Sequence, residues 1–224
     1  MNLNKSIDYF NPEKLDAPVH IIGCGAIGSS IAELMTRIGV TDLHLWDSDT
    51  VRPHNIANQL FQQDQVDMFK TKATVQLLKK INPDIRPTVH PYWTPDTNFI
   101  SGYIFLCVDN IDLRRLIVQL NRYNTQIKAF FDTRMALEEG QLHATDMEND
   151  HIEAFLKTMD YSHEEAKNAV PVSACGIELS ITPTVRILAN YQVANFINFV
   201  NGKGLIKFAD INIFNFRAMF YPLK

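Results

Sequence analysis

Acidic and amide side chains are concentrated between residues 47 and 59, in the stretch DSDTVRPHNIANQ. The group consists of Asp47, Asp49, Asn55, Asn58 and Gln59. Carboxylates accept hydrogen bonds and bind cations, and amides both donate and accept hydrogen bonds. A dinucleotide-binding fold needs only one acid at the end of its second strand, to hold a ribose. The second acid and the amides therefore indicate a nucleotide site with further chemistry.

A glycine motif precedes this polar segment. Gly23, Gly25 and Gly28 form the pattern G-x-G-x-x-G directly after the apolar run VHII and before a stretch with helical periodicity. Glycines here permit a tight turn and let phosphates approach backbone N–H groups at the positive end of a helix. We expect this turn, with Ala26, to bind phosphates and Asp47 to accept from a ribose hydroxyl. The fingerprint alone favours NAD.

Two later features do not suit hydride transfer. Lys70 stands at the start of a predicted helix over 70–81, where the helix dipole does not favour a positive side chain. Asp109 and Asn110 follow the apolar run YIFLCV, at the strand end where open α/β sheets bind ligands. A carboxylate beside phosphates predicts Mg²⁺, which proteins bind through one or two carboxylates plus substrate phosphates. A lysine and Mg²⁺ beside a triphosphate indicate attack at phosphorus.

These residues need a sheet to position them. Over residues 17–145, apolar strands alternate with stretches of helical periodicity. This rhythm predicts an α/β, Rossmann-like nucleotide-binding core with a mostly parallel sheet and helices on both faces.

The alternation of strands and helices ends after this core. We predict a flexible crossover or lid at 146–172, with a short helix near 151–159, and a C-terminal helix and strands at 173–224. Pro183 is predicted to open the helix, and INIFNFRAMFY to form one alternating strand that extends the sheet in an antiparallel sense. The whole chain, 1–224, is interpreted as one domain.

Composition narrows the class of protein. The chain has 224 residues, 46% of them hydrophobic, and a net charge of −4, which does not favour general nucleic-acid binding. No apolar run resembles a signal peptide or a membrane span, so we expect a cytoplasmic protein with no membrane partner. Cys24, Cys107 and Cys175 lie far apart and form no CxxC pair, so the sequence suggests neither a cysteine zinc site nor a disulfide framework.

With these motifs in view, the chain resembles the E1-like ThiF/MoeB/HesA family, which includes the adenylation domains of ubiquitin activators. The resemblance runs through HIIGCGAIGSSIAELMTRIGVTDLHLWDSDTVRPHNIANQ, KTKATVQLLKKINP and CVDNIDLRRL, and it fades after about Leu142. It returns loosely at GIELSITPTVRILANYQVANFINF, which is similar to the family's glycine-to-proline turn and dimer-side helix.

The resemblance implies an ATP- and Mg²⁺-dependent adenylyltransferase that forms a homodimer. Its partner would be a small ubiquitin-like or sulfur-carrier protein, or a peptide, whose C-terminal glycine carboxylate becomes an acyl adenylate. The catalytic residues that the resemblance implies are Asn55, Gln59, Lys70 and Asp109, with Asp109 as the metal ligand. The nucleotide-binding residues that it implies are Gly23, Gly25, Ala26, Gly28, Asp47, Asp49, Asn55, Asn58, Lys70, Asp109 and Asn110.

The chain departs from the family at one important position. The family usually reads N-x-x-R-Q, and Asn58 occupies the place of the arginine. Arg52 is a candidate replacement. Arg114 and Arg115 lie on the helix after Asp109, where a salt-bridged surface is expected, with one of them facing the nucleotide as the alternative. Cys175 is the single candidate for a thioester, although free cysteines are usually small buried hydrophobes.

Three hypotheses follow from these residues. The first is the adenylyltransferase. The second is an E1-like module that binds nucleotide, has lost catalysis and acts as a binding or assembly partner, which Asn58 favours. The third is an NAD-dependent oxidoreductase, which leaves Lys70 and CVDN without a role.

Overall fold

A computed structural model gives the fold and describes residues 1–97, 100–168, 170–174, 176 and 179–223. Within these residues the strands are β1 Val19–Ile22, β2 Leu43–Trp46, β3 Thr88–His90, β4 Gly102–Leu106, β5 Ile127–Ala136, β6 Glu139–Asp146, β7 Ile206–Asn212 and β8 Arg217–Pro222. The α-helices are α1 Ala26–Arg37, α2 Lys70–Ile81, α3 Ile111–Asn121, α4 Asn149–Lys157, α5 His163–Asn168 and α6 Thr182–Val200.

The strands form one mixed sheet in the order β3-β2-β1-β4-β5-β6-β7-β8. The first five strands in this order run parallel, and β6, β7 and β8 continue the sheet in antiparallel pairs. β1 and β4 are buried along their whole length, as expected of central parallel strands covered on both faces. The predicted Rossmann-like fold with an antiparallel C-terminal extension is confirmed.

Helices cover both faces of the sheet. On the face covered by α1, α2 and α6, Phe196 of α6 packs edge-on against Phe105 and Phe131 of the central strands. On the other face, Phe155 of α4 stacks near Phe130. None of the helices in the described part of the chain is long and apolar enough to cross a membrane.

The prediction of one strand at INIFNFRAMFY is wrong. β7 ends at Asn212, a turn follows, and β8 begins at Arg217, so the segment is a hairpin. The Asn212 side-chain oxygen accepts from the backbone N–H groups of Phe214 and Asn215, at 3.2 and 3.1 Å. Phe216 has a positive φ of 55°. An asparagine that bonds to its own backbone in this way reverses the chain.

The segment between the core and the last helix contains two helices. α4 occupies Asn149–Lys157, close to the helix predicted near 151–159, and α5 at His163–Asn168 was not predicted. α5 begins with a capping arrangement, in which Glu165 Oε2 accepts from the Ser162 backbone N–H at 2.7 Å and Ser162 Oγ accepts from the Glu165 N–H at 3.1 Å. Sequence periodicity cannot detect so short a helix.

The glycine turn allows β1, α1 and β4 to approach each other closely. Gly23 has a φ of +98°, and a Cβ there would overlap the backbone between Cys107 and Val108. A Cβ on Gly28 would overlap the Gly23 carbonyl oxygen. Gly28 therefore serves helix–strand packing, the role of the third glycine in this fingerprint.

An aromatic stack supports the edge of the sheet. His20, His44, Trp46 and His90 come from β1, β2 and β3, and the Trp46 and His90 ring centroids are 3.7 Å apart. The Trp46 indole N–H donates to His20 Nδ1 at 3.1 Å. Burial lowers the pKa of His20 to about 3, and the neighbouring histidines contribute to the same shift.

The buried histidines predict a stability that falls in mild acid. Burial also lowers the pKa of His143, to about 4. Below pH of about 6.5, these histidines bind protons in the unfolded chain but stay neutral in the folded chain. Each of them therefore lowers the free energy of unfolding as the pH falls toward its pKa in the folded state. His20→Asn keeps an acceptor for Trp46 and removes one such group. We expect its pH slope to be shallower by up to about 1.4 kcal/mol per pH unit.

Urea denaturation at pH 7, 5.5 and 4.5 measures this slope. His54→Asn is the matched control, because His54 is exposed in a 3-10 turn outside the aromatic stack, and this variant should keep the wild-type slope. An unchanged slope in His20→Asn would show that His20 does not stay neutral in the fold.

Candidate active site

A cleft of about 780 Å³ opens at the carboxyl ends of β1, β2 and β4. The predicted site residues that line it are Gly23, Gly25, Ala26, Asp47, Asp49, Asn55, Asn58, Gln59, Lys70 and Asp109. Gly28 and Asn110 are absent from the lining. Gly28 packs inside the turn, and Asn110 caps α3, where its side-chain oxygen accepts from the Leu113 N–H at 3.0 Å.

Asp47 holds the glycine turn in place. Its Oδ2 accepts from the Cys24 backbone N–H at 2.7 Å, and its Oδ1 accepts from the Asp49 backbone N–H at 2.8 Å. Burial raises the pKa of the Asp47 carboxyl, while these two hydrogen bonds and the Lys70 charge oppose the shift. The carboxylate therefore has structural bonds as well as a place on the cleft wall.

Lys70 faces the cleft from the start of α2. Its ammonium group donates to Asp49 Oδ2 at 2.8 Å, and its side chain is 12% exposed. The Lys70 backbone N–H also donates to the Asp49 carbonyl at 2.8 Å. The second acid after β2 therefore fixes a cation that the helix dipole does not favour at this position.

The segment after β2 forms a tight 3-10 turn at Pro53–Ala57. Asn55 is buried, and its side-chain oxygen accepts from the Arg52 backbone N–H at 2.8 Å. This hydrogen bond leaves the Asn55 amide N–H₂ as the group that it can offer to a ligand.

Arg52 does not supply the cation that is missing because Asn58 occupies the family's arginine position. Its guanidinium pairs with Asp67 Oδ1 at 3.1 Å, is 60% exposed and lies outside the lining of the cleft. Asn58 ends the 3-10 turn and does line the cleft. The candidate replacement proposed from the sequence is therefore turned toward another partner.

A second cleft of about 640 Å³ adjoins the first. It lies over β5, β6, β7 and α5, with Arg134, Gln141, His143 and Tyr161 in its wall. The residues shared by both clefts are Asp109, Arg114, Met135, Lys167 and Val170. A ligand in one cleft would therefore meet a ligand in the other beside Asp109.

A buried ion network lies beneath this junction. Arg114 and Arg134 both bind Asp132, which is fully buried within β5, beside the last residue of β4. Arg114 also donates to the carbonyls of Val108 and Thr133, at 2.6 and 2.8 Å. Although burial opposes it, the two guanidinium groups hold the pKa of Asp132 below its ordinary value. The prediction that Arg114 lies in a surface salt bridge is wrong, because Arg114 is 7% exposed.

Several buried polar atoms at the two clefts lack a hydrogen-bond partner among the described residues. Gln59 Oε1, Trp93 Nε1 and Thr133 Oγ1 belong to residues of the first cleft, and His163 Nδ1 to the second. Unsatisfied polar groups are rare in folded proteins and often mark functional sites. The first cleft is also lined by the aromatic rings of Trp46, Tyr92 and Trp93, and such rings suit a nucleobase.

The cysteines in the described part of the chain are poor nucleophiles. Burial raises the pKa of the Cys107 thiol to about 12 and raises that of Cys24 well above its usual range. The thioester candidate, Cys175, lies outside the described residues. Those residues contain no cluster of three or more His, Cys, Asp or Glu side chains that could hold a metal ion without another ligand.

Comparison with known proteins identifies the family. The profile of the ThiF family matches residues 13–222, nearly the whole chain. The chain belongs to the ThiF family. Ubiquitin-like modifier-activating enzyme 5 of Oryza sativa subsp. japonica is 47% identical over 124 residues, a match that covers 46% of this chain and 29% of that enzyme. The Gallus gallus enzyme of the same name is 40% identical over 116 residues, covering 44% and 29%. Each match covers less than a third of the relative's length.

Solved structures share the fold of this chain. E. coli MccB with AMPCPP and MccA superposes with a TM-score of 0.71 at 16% identity, covering 94% of this chain and 65% of that one. PaaA superposes with a TM-score of 0.72 at 17% identity, with the same coverage. These superpositions show that this ThiF-family chain shares their fold.

The glycine turn offers a matched pair of substitutions. A Cβ on Gly25 would meet nothing within 4 Å and would project into the space expected for phosphate, whereas a Cβ on Gly28 would overlap backbone. We expect Gly28→Ala to lower the free energy of unfolding by about 1–3 kcal/mol, as overpacking does. Gly25→Ala should change the free energy of unfolding by less than about 1 kcal/mol.

Urea denaturation and calorimetric titration with ATP measure the two effects separately. Gly25→Ala should weaken ATP binding at least about tenfold while the protein remains folded, because the methyl group takes the place of a phosphate oxygen. Unchanged ATP affinity in Gly25→Ala would exclude the turn as the phosphate site.

Proposed function

We propose that this chain adenylates the C-terminal carboxylate of a ubiquitin-like or sulfur-carrier protein, or of a peptide, at the expense of ATP. The observation that carries the proposal is the junction of the two clefts at Asp109. The first cleft has a glycine turn and a lysine for phosphates, and the second offers a route for a carboxylate to reach them. Membership of the ThiF family and similarity to ubiquitin-like modifier-activating enzyme 5 support this reaction.

In the proposed reaction, a carboxylate oxygen attacks the α-phosphorus of ATP. The bond from that phosphorus to the bridging oxygen breaks, and pyrophosphate leaves with the electron pair. No general base is needed, because a C-terminal carboxyl is already ionised at neutral pH. Lys70, the Asn55 amide and the N–H groups at the start of α1 would hold the phosphates and offset negative charge during transfer.

The donor set at the junction fits Mg²⁺. The two oxygens of Asp47 accept backbone N–H groups, and Asp49 pairs with Lys70. Asp109 is exposed in the cleft and accepts no hydrogen bond from the described residues, which leaves its carboxylate available. One carboxylate plus substrate phosphates is a usual way for proteins to bind Mg²⁺. Asp109 would hold the ion, which offsets phosphate charge when bound.

The partner and assembly are proposed on the same basis. Two relatives are named as activators of ubiquitin-like modifiers, and a structural neighbour was solved with the peptide MccA. We infer a partner with a C-terminal glycine and a homodimer, both from the family resemblance. The site requires neither nucleic acid nor a membrane.

A second function has one observation in its favour. Asn58 is neutral, and Arg52 is paired with Asp67 away from the cleft, which would suit a nucleotide-binding assembly module without catalysis. An NAD-dependent oxidoreductase gains no such support, since it has no use for Lys70 or for the available carboxylate of Asp109. Calorimetry with ATP–Mg²⁺ and with NAD separates the oxidoreductase from the other two.

Asp109→Asn tests the reaction. We expect pyrophosphate release from ATP, in the presence of a small protein ending in Gly-Gly, to fall at least about 10²-fold, because the carboxylate for the cation is lost. The matched control is Asp112→Asn, three residues further along the chain in the first turn of α3. Asp112 pairs with Arg115 at 2.6 Å outside both clefts, so its variant should keep the wild-type rate.

Mass spectrometry of the acyl adenylate gives the second readout. ATP binding without acyl adenylate, across ubiquitin-like proteins and peptides, would favour the assembly module. Full activity in Asp109→Asn would contradict the proposed role of Asp109.

A further inference from the structure

The first cleft, in which we propose that ATP binds, carries less unpaired positive charge than the number of its lysines and arginines suggests. Its described lining contains the cations Lys70, Arg114 and Lys167. It also contains the acids Asp47, Asp49 and Asp109. A triphosphate adds several negative charges, so cations without a carboxylate partner matter most for its transfer.

Two of the three cations are already neutralised. Lys70 donates to Asp49 at 2.8 Å. Arg114 is buried, binds Asp132 and also donates to two backbone carbonyls. If Arg114 moved to a ligand, the buried Asp132 carboxylate would lose a positively charged partner, which is costly. Arg134 shares Asp132 and lines only the second cleft.

Lys167 differs from Lys70, Arg114 and Arg134 in its pairing and in its position. Its side chain is exposed, and within the described residues its ammonium group forms no ion pair or hydrogen bond. It lines both clefts, at the junction where Asp109 also lies. A carboxylate arriving from the second cleft would therefore meet the phosphates beside this ammonium group.

The fold directs Lys167 to this place. The Ser162–Glu165 cap fixes the start of α5, and Ala166 packs against the apolar cluster beneath α3 and α4. His163, Glu165, Ala166, Lys167 and Val170 all line the second cleft, and Lys167 and Val170 also line the first. This short segment therefore reaches the junction at Lys167 and Val170.

We propose that Lys167 is a catalytic residue that supplies the cation missing at Asn58. This inference rests on the adenylation proposed above. Its ammonium group would neutralise charge on the α-phosphate and on the leaving pyrophosphate as the carboxylate oxygen bonds to phosphorus and the bridging P–O bond breaks. The lysine keeps its proton throughout, so the atoms and charges of the reaction balance without it.

Three variants test this assignment in the full chain. Lys167→Met should lower the single-turnover rate of acyl-adenylate formation about 10²–10³-fold, the size expected for loss of one group that stabilises developing charge. Lys157→Met is the matched control, because Lys157 lies on α4 and lines neither cleft, and it should keep the wild-type rate. Lys167→Met/Asn58→Arg returns a cation to the same cleft and should recover most of the lost rate.

A second measurement does not depend on the identity of the partner. Calorimetric titration with inorganic pyrophosphate and Mg²⁺ should show about tenfold weaker binding in Lys167→Met, since one charge-assisted contact is lost. Lys157→Met should bind like the wild type, and Asn58→Arg should restore affinity in the Lys167→Met background.

The outcomes separate the two proposals. A Lys167→Met variant with wild-type pyrophosphate affinity, or with a wild-type rate, overturns the role of Lys167 and leaves adenylation intact. A wild-type protein that binds neither ATP nor pyrophosphate overturns the proposed function itself. Loss of binding that Asn58→Arg cannot restore also contradicts the inference, because it would reflect a structural role for α5.

Discussion

The Asp47 carboxylate is the constraint on which the site depends. It accepts the Cys24 N–H of the glycine turn and the Asp49 N–H of the following segment, at 2.7 and 2.8 Å. Asp49 in turn binds Lys70 at the start of α2. This half-buried carboxylate therefore binds the glycine turn and the segment after β2 directly, and through Asp49 it is connected to the start of α2. Its raised pKa reflects burial, which makes hydrogen bonds to it stronger than they would be in water.

The periodicity of apolar residues along the chain predicted the helices and strands whose burial follows that periodicity. The helix over 70–81, the central parallel strands and the antiparallel extension were all foreseen, because periodicity reports which face of an element is buried. The last strand was misread because Phe214 and Phe216 continue the apolar alternation through a turn. Phe216 is 95% exposed, so its apolar side chain gave no true sign of burial.

The sequence predicted only those residues of the site that belong to recognisable motifs. The glycine turn, the two acids after β2, Lys70 and Asp109 stand in recognisable positions, and they line one cleft. Arg114, Asp132 and Arg134 form their network across two elements, which no spacing along the chain encodes. The polar run DTR at the end of the apolar strand IKAFF was the available signal. Lys167 lies beyond the point where the family resemblance fades, so only its place in the fold distinguishes it from other surface lysines.

The ion pair between Lys70 and Asp49 makes nucleotide binding an exchange. An incoming phosphate must replace a carboxylate that is already 2.8 Å from the ammonium group, and only the difference between the two interactions appears as affinity. A small anion gains little from such a replacement. A triphosphate that also contacts the glycine turn and Asn55 gains from several groups at once. The pair therefore keeps the lysine in position while the cleft discriminates against the simple anions that surround the protein.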